Sequence, residues 1–119
     1  MPARVLVVED DADLRQSICT VLDDAGYSSR AAENGEVALE RVREERPCVI
    51  LLDLMMPIMN GWEFRSEQLR DPKLSSIPVV IMTADGRGAD KARTLHADYL
   101  QKPIHLDALL ELVNDYCGT

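Results

Sequence analysis

Three short apolar runs constrain this chain more than any other feature: Val5 to Val8, Cys48 to Leu52 and Val79 to Met82. None alternates apolar with polar residues, so each reads as a strand buried on both faces. Tyr27 to Ala31 and Asp98 to Gln101 are weaker strand candidates, short enough to sit toward the edges of a sheet.

Helical patterns lie between the runs. Leu14, Ile18, Val21, Leu22 and Ala25 gather on one face, after a capping Asp11 or Asp13 and before a terminating Gly26. A second pattern follows Asn34-Gly35 through Val37, Ala38, Leu39 and Val42 and stops before Pro47, leaving Arg43 to Arg46 as a solvated charged stretch. A third begins near Gly61 with Trp62, Phe64 and Leu69 and must stop by Pro72. The fourth falls within Gly86 to Leu95, opens with two glycines and has few large apolar residues. The last places Leu106, Leu109, Leu110 and Val113 on one face after Pro103. Strands alternating with helices predict right-handed crossovers and an α/β fold, its parallel sheet covered on both sides.

Composition narrows the function. With 119 residues and 46% hydrophobic content, the chain reads as one domain spanning residues 1–119, able to bury a core without a structural metal. A formal charge of -8 with no basic run excludes a nucleic-acid surface. Cys19, Cys48 and Cys117 form no C-x-x-C pair, so neither a disulfide framework nor a zinc site is expected, and packing in a reducing cytosol is their expected role. Met1 leads almost directly into the first apolar run, without a secretory leader, which favours a natural N-terminus.

The polar residues at the strand ends carry the chemistry. Glu9, Asp10 and Asp11 follow the first strand and Asp53 follows the third, so both acidic groups fall on the sheet edge that holds ligands in open α/β folds. Carboxylates converging there repel one another unless a cation neutralises them. Magnesium suits the site, because it needs only one or two carboxylates plus waters and phosphate oxygens. Thr83 and Lys102 end the fourth and fifth strands and add a hydroxyl and an ammonium, a cradle for a phosphoryl group.

The stretches V-L-V-V-E-D-D (Val5 to Asp11), L-L-D-L-M-M-P-I-M-N-G (Leu51 to Gly61), M-T-A (Met82 to Ala84) and Y-L-Q-K-P (Tyr99 to Pro103) together resemble the receiver domain of two-component response regulators. The resemblance implies a flavodoxin-like (βα)5 doubly wound fold with a five-stranded parallel sheet of order 2-1-3-4-5. It implies that Asp53 becomes an aspartyl phosphate, that Asp10 binds Mg2+ directly, that Glu9 acts largely through water, and that the Met55 carbonyl adds a ligand. Thr83 would be the switch hydroxyl, Lys102 the counterion, Tyr99 the aromatic switch, and Pro103 would follow a cis peptide bond. The implied partners are a sensor histidine kinase or histidine phosphotransfer protein and a downstream protein target, with no nucleic acid and no membrane, for a cytoplasmic monomer or weak dimer.

This sequence departs from the family where Leu95-His96-Ala97 replaces the customary Gly-Ala before the fifth strand. Met55 and Asp85, two places beyond Asp53 and Thr83, occupy positions that tune phosphate lifetime in the family. His96 and His105 read as ordinary surface or helix-start residues. A phosphohydrolase of the haloacid dehalogenase type would want a second Asp where Met55 stands, and a pseudo-receiver would lack part of the acidic pair, the acceptor or the lysine. Flavin binding finds no phosphate loop. The chain thus reads as a substrate and switch, not an enzyme.

Overall fold

Val5 to Val8 and all of Val49 to Asp53 and Val79 to Thr83 are buried, as unbroken apolar runs require when helices cover both faces of a sheet. The structure, a computed structural model, describes residues 4–118, so the reading of Met1 as a natural start lies outside the described residues. In chain order the elements are β1 (Arg4–Val8), α1 (Ala12–Asp24), β2 (Ser28–Ala32), α2 (Gly35–Glu44), β3 (Val49–Asp53), α3 (Gly61–Arg70), β4 (Val79–Thr83), α4 (Gly88–Leu95), β5 (Asp98–Gln101) and α5 (Leu106–Cys117). All four strand pairings are parallel, in the order β2-β1-β3-β4-β5. The expected flavodoxin-like (βα)5 fold is therefore present.

The two weak strand signals, β2 and β5, are the edge strands, where partial exposure breaks the apolar run. Alternate residues of the inner strands feed two cores. Leu6, Ile50, Leu52 and Ile81 meet α2, α3 and α4 through Ala38, Leu39, Phe64 and Leu95. Val5, Val7, Leu51 and Met82 meet α1 and α5 through Ile18, Leu22, Leu109 and Val113.

Local chemistry sets the helix ends. Asp11, not Asp13, caps α1 by accepting from the Asp13 and Leu14 amides, and Gly26 ends the turn at φ 95°. Ala25, expected on the inner face of α1, is its exposed C-terminal cap. Asn60 and Glu63 form a reciprocal capping box at the start of α3. The expected cis bond joins Lys102 to Pro103.

Three further readings need correction. Leu69 and Leu106 are 43% and 45% exposed, although helical spacing placed them inward. The inner face of α3 is instead completed by Arg65 and Gln68, which are 5% and 0% exposed. Arg65 donates from Nε to the Leu95 carbonyl at 3.0 Å, from Nη2 to the His96 carbonyl at 2.9 Å and from Nη1 to Gln68 Oε1 at 2.8 Å. Gln68 Nε2 then donates to the Leu74 and Ile77 carbonyls. The guanidinium thus binds the free carbonyls at the end of α4, where a helix dipole favours positive charge. His96 takes the left-handed backbone there, at φ 54°, that helix ends usually assign to glycine.

The third correction concerns the cysteines. Cys48 and Cys117 are joined by a disulfide with their Cα atoms 5.5 Å apart, and only Cys19 is free. The pair is separated by 69 residues in sequence, and only the packing of α5 against the sheet brings its last turn beside the start of β3.

Candidate functional site

Parallel register delivers the strand-end residues to one place. Val8 pairs with Leu52, so Glu9 and Asp53, one residue further along each chain, emerge side by side from β1 and β3. Asp53 pairs with Met82 and Thr83 with Gln101, which brings Thr83 and then Lys102 to the same edge. All four strand ends named from sequence therefore converge.

Carboxylate oxygens of Glu9, Asp10 and Asp53 lie within 4.8 Å of one another. Glu9 and Asp53 are 1% and 4% exposed, while Asp10 faces solvent. Lys102 Nζ reaches between the two buried groups, 2.8 Å from Glu9 Oε1 and 3.4 Å from Asp53 Oδ1. The Met55 amide donates to Asp53 Oδ1 at 3.3 Å, and its side chain is 72% exposed. Thr83 is buried, and its Oγ1 accepts from the Asp85 amide at 3.1 Å.

Burial, followed by the neighbouring Glu9 carboxylate, pushes the Asp53 carboxyl up to about 7, although Lys102 and the Met55 amide oppose the shift. Burial alone would lower the Lys102 ammonium, but Glu9 and Asp53 outweigh it and raise it instead. The cluster is short of protein positive charge: the Lys102 ammonium serves two buried carboxylates beside a third acidic group. An all-oxygen donor set of this kind suits a hard divalent cation.

A model of the family described as the response regulator receiver domain matches residues 5–114. The chain belongs to this family. The receiver is 34% identical over 115 residues to Protein PilH of Pseudomonas aeruginosa, covering 94% of this chain and 95% of that protein. It is 39% identical over 106 residues to the phosphate regulon transcriptional regulatory protein PhoB of Escherichia coli, covering 87% of this chain but 46% of PhoB. Its fold matches the chemotaxis response regulator CheY4 of Vibrio cholerae with a TM-score of 0.88 at 28% identity, over 98% of this chain and 99% of that one. A putative response regulator from Chloroflexus aurantiacus superposes with a TM-score of 0.91 at 26% identity, covering 100% of both chains.

Several residues that shape this receiver site escaped the reading of the sequence. Arg15 Nη1 donates to the Glu9 carbonyl at 2.8 Å and holds the end of β1. A Cβ at Gly61 would fall 2.6 Å from the Asp53 carbonyl oxygen, so α3 starts this close to Asp53 only because residue 61 has no side chain. Gly88 has the same relation to Tyr99 and Thr83: a Cβ there would lie 2.8 Å from Tyr99 Cδ2 and 3.1 Å from Thr83 Cγ2. Both glycines open helices, which is the signal that could have singled them out.

The receiver's remaining candidates take plainer positions. Tyr99 lies on β5 with 41% exposure, its ring against Gly88. Asp85 is held by Lys91, 2.9 Å away, whose ammonium also stands over the Trp62 ring at 5.3 Å. Hydrogen bonding to Lys91 keeps the Asp85 carboxyl below its ordinary range. His96 and His105 are exposed residues at helix ends, as expected. Ile58, at φ 69° and 76% exposed, forms the apex of a tight turn in which the Met59 amide donates to the Pro57 carbonyl at 2.7 Å.

Proposed function

We propose that this receiver is a phosphoacceptor switch in which Asp53 takes a phosphoryl group from a phosphohistidine of a sensor histidine kinase or histidine phosphotransfer protein. The observation that carries the reading is the placement of Lys102 Nζ between Glu9 and Asp53, with Asp10 on the same cluster. Glu9, Asp10, Asp53 and the Met55 carbonyl would hold Mg2+, which when bound would neutralise the incoming phosphoryl oxygens.

An Asp53 oxygen attacks phosphorus in line as the phosphorus–nitrogen bond to the donor histidine breaks, and the departing ring nitrogen keeps the bonding pair. Lys102 offers a point charge to the transferred group. Thr83 exchanges its bond with the Asp85 amide for one to a phosphoryl oxygen, and Tyr99, beside it across Gly88, responds to that movement. The energy of these new contacts biases two conformations and so alters a surface read by a downstream protein. This makes the chain a substrate and switch in a cytoplasmic relay. Its charge of -8 argues that this segment does not itself contact nucleic acid.

The test is to incubate the chain with Mg2+ and a small phosphodonor such as acetyl phosphate and to follow intact mass. One added phosphoryl group is expected, lost in Asp53→Asn and on chelation of the metal. An unlabelled wild-type chain, or labelling that persists in Asp53→Asn, would refute the assignment.

A further inference from the structure

At the pole of the sheet opposite Asp53, Cys48 precedes β3 and Cys117 ends α5. Their Cα atoms stand 5.5 Å apart, within the range a disulfide spans without backbone movement. Both side chains are half-buried against the core that contains Val5, Val49, Leu109 and Val113. The site also suits the reduced state, because Cys48 Sγ lies 2.9 Å from the Arg4 carbonyl oxygen, an acceptor for a thiol proton. Reduction parts the two sulfurs by rotation about a side-chain bond, and the Cys48 thiol keeps the Arg4 carbonyl as its acceptor.

Among the described residues, few other contacts secure the last turn of α5. Leu109 and Val113 are its fully buried residues, and both lie before that turn. Beyond them the helix is held at its exposed surface by Asn114 accepting from Tyr27 and by Tyr116 donating to Asp98. Cys19, the third cysteine, stands on α1 and remains free in the oxidised chain.

We propose that Cys48 and Cys117 form a reversible redox modification site, in which a small-molecule disulfide such as oxidised glutathione closes the bond and locks the last turn of α5 onto the start of β3. One cysteine thiolate attacks a glutathione sulfur, and glutathione leaves as a thiolate. The second cysteine thiolate then attacks the mixed disulfide and releases the other glutathione. Two protein thiols are thus oxidised, and the two electrons and two protons leave with two molecules of reduced glutathione. Excess reduced glutathione reverses both steps. The site shares no residue with the acidic cluster and acts on α5 whether or not Asp53 carries phosphate.

The full chain is equilibrated, folded, in buffers of graded reduced and oxidised glutathione, then quenched with an alkylating agent and weighed intact. The expected result is one alkylated thiol, Cys19, under oxidising conditions and three under reducing conditions, with a Cys48–Cys117 cross-linked peptide only in the former. Oxidation should raise Tm by on the order of 10 °C and slow amide exchange in the last turn of α5 by on the order of tenfold. Cys48→Ser and Cys117→Ser should show two alkylated thiols under reducing conditions, a glutathione adduct in place of the internal bond under oxidising conditions, and no such change in Tm or α5 exchange. Reduction of the wild-type chain provides the same comparison without a substitution. Three alkylated thiols at every ratio would overturn the proposal, as would a bond that excess reduced glutathione leaves intact in the folded chain. Equal α5 exchange in both redox states would overturn the lock.

Discussion

Lys102 Nζ lies 2.8 Å from Glu9 Oε1, an ion pair that ties the end of β5 to the end of β1 across 93 residues. Glu9 is 1% exposed, so removing Lys102 would leave a buried carboxylate without its ion-pair partner. Lys102→Ala is therefore expected to cost about 3 kcal/mol in a chelating buffer, measured by urea unfolding. Added Mg2+ should narrow the gap, since a cation beside Glu9 replaces the lost partner. Phosphate uptake should fall by on the order of a hundredfold. An unchanged gap on adding Mg2+ would argue that no metal sits near Glu9.

Asp53 titrates at about 7 in the folded chain, raised by burial and by Glu9, whereas an unfolded aspartate titrates at about 3.9. Between those values the folded chain holds a proton that the unfolded chain has lost, so this group's contribution to stability declines as pH rises and levels off above about 7. Asp53→Asn cannot titrate and should remove that decline. Thermal melts in a chelating buffer should show the variant several degrees more stable than wild type near pH 8 and similar near pH 4. A variant less stable at the higher pH would reverse the sign and defeat the argument.

Gly88 and Gly86 make a matched pair. A methyl at Gly88 meets Tyr99 Cδ2 at 2.8 Å, whereas a Cβ at Gly86 meets nothing within 4 Å. Gly88→Ala should destabilise by about 1–2 kcal/mol and turn the Tyr99 ring outward, visible in its aromatic NMR signals. Gly86→Ala should be neutral or stabilising by up to about 1 kcal/mol. Equal effects at the two positions would mean that Gly88 is not a spacer for Tyr99 and Thr83.

Arg65 holds the end of α4 through the Leu95 and His96 carbonyls. Its burial lowers the guanidinium pKa, yet its donors are matched by three oxygens. Arg65→Met should leave those acceptors without a donor and cost about 3 kcal/mol. Amide exchange should rise in the last turn of α4 and leave α2 unaffected. Arg65→Lys should recover only part of the loss, because an ammonium lacks the fork that reaches all three oxygens.

Much of this receiver could be read from residue order alone. Val5 to Val8 and Val79 to Met82 announced themselves because a strand covered on both faces needs an unbroken apolar run, and that run is a local property. Asp53 stood out for the same reason, as an acidic group closing such a run, and parallel pairing then carried Glu9, Thr83 and Lys102 to the same edge.

Tertiary structure decided the contacts whose partners are distant in sequence. Arg65 on α3 looks like any solvated helical arginine until α4, 30 residues later, places the Leu95 carbonyl beside it. Gly88 looks like a helix opener until Tyr99 and Thr83 close around it, and Cys48 looks unpaired until α5 returns Cys117 to within 5.5 Å. Hydrophobic periodicity reports which face of an element is buried. It does not report which side chain of another element fills the space opposite, because the packing of helices on the sheet sets that and no single segment encodes it.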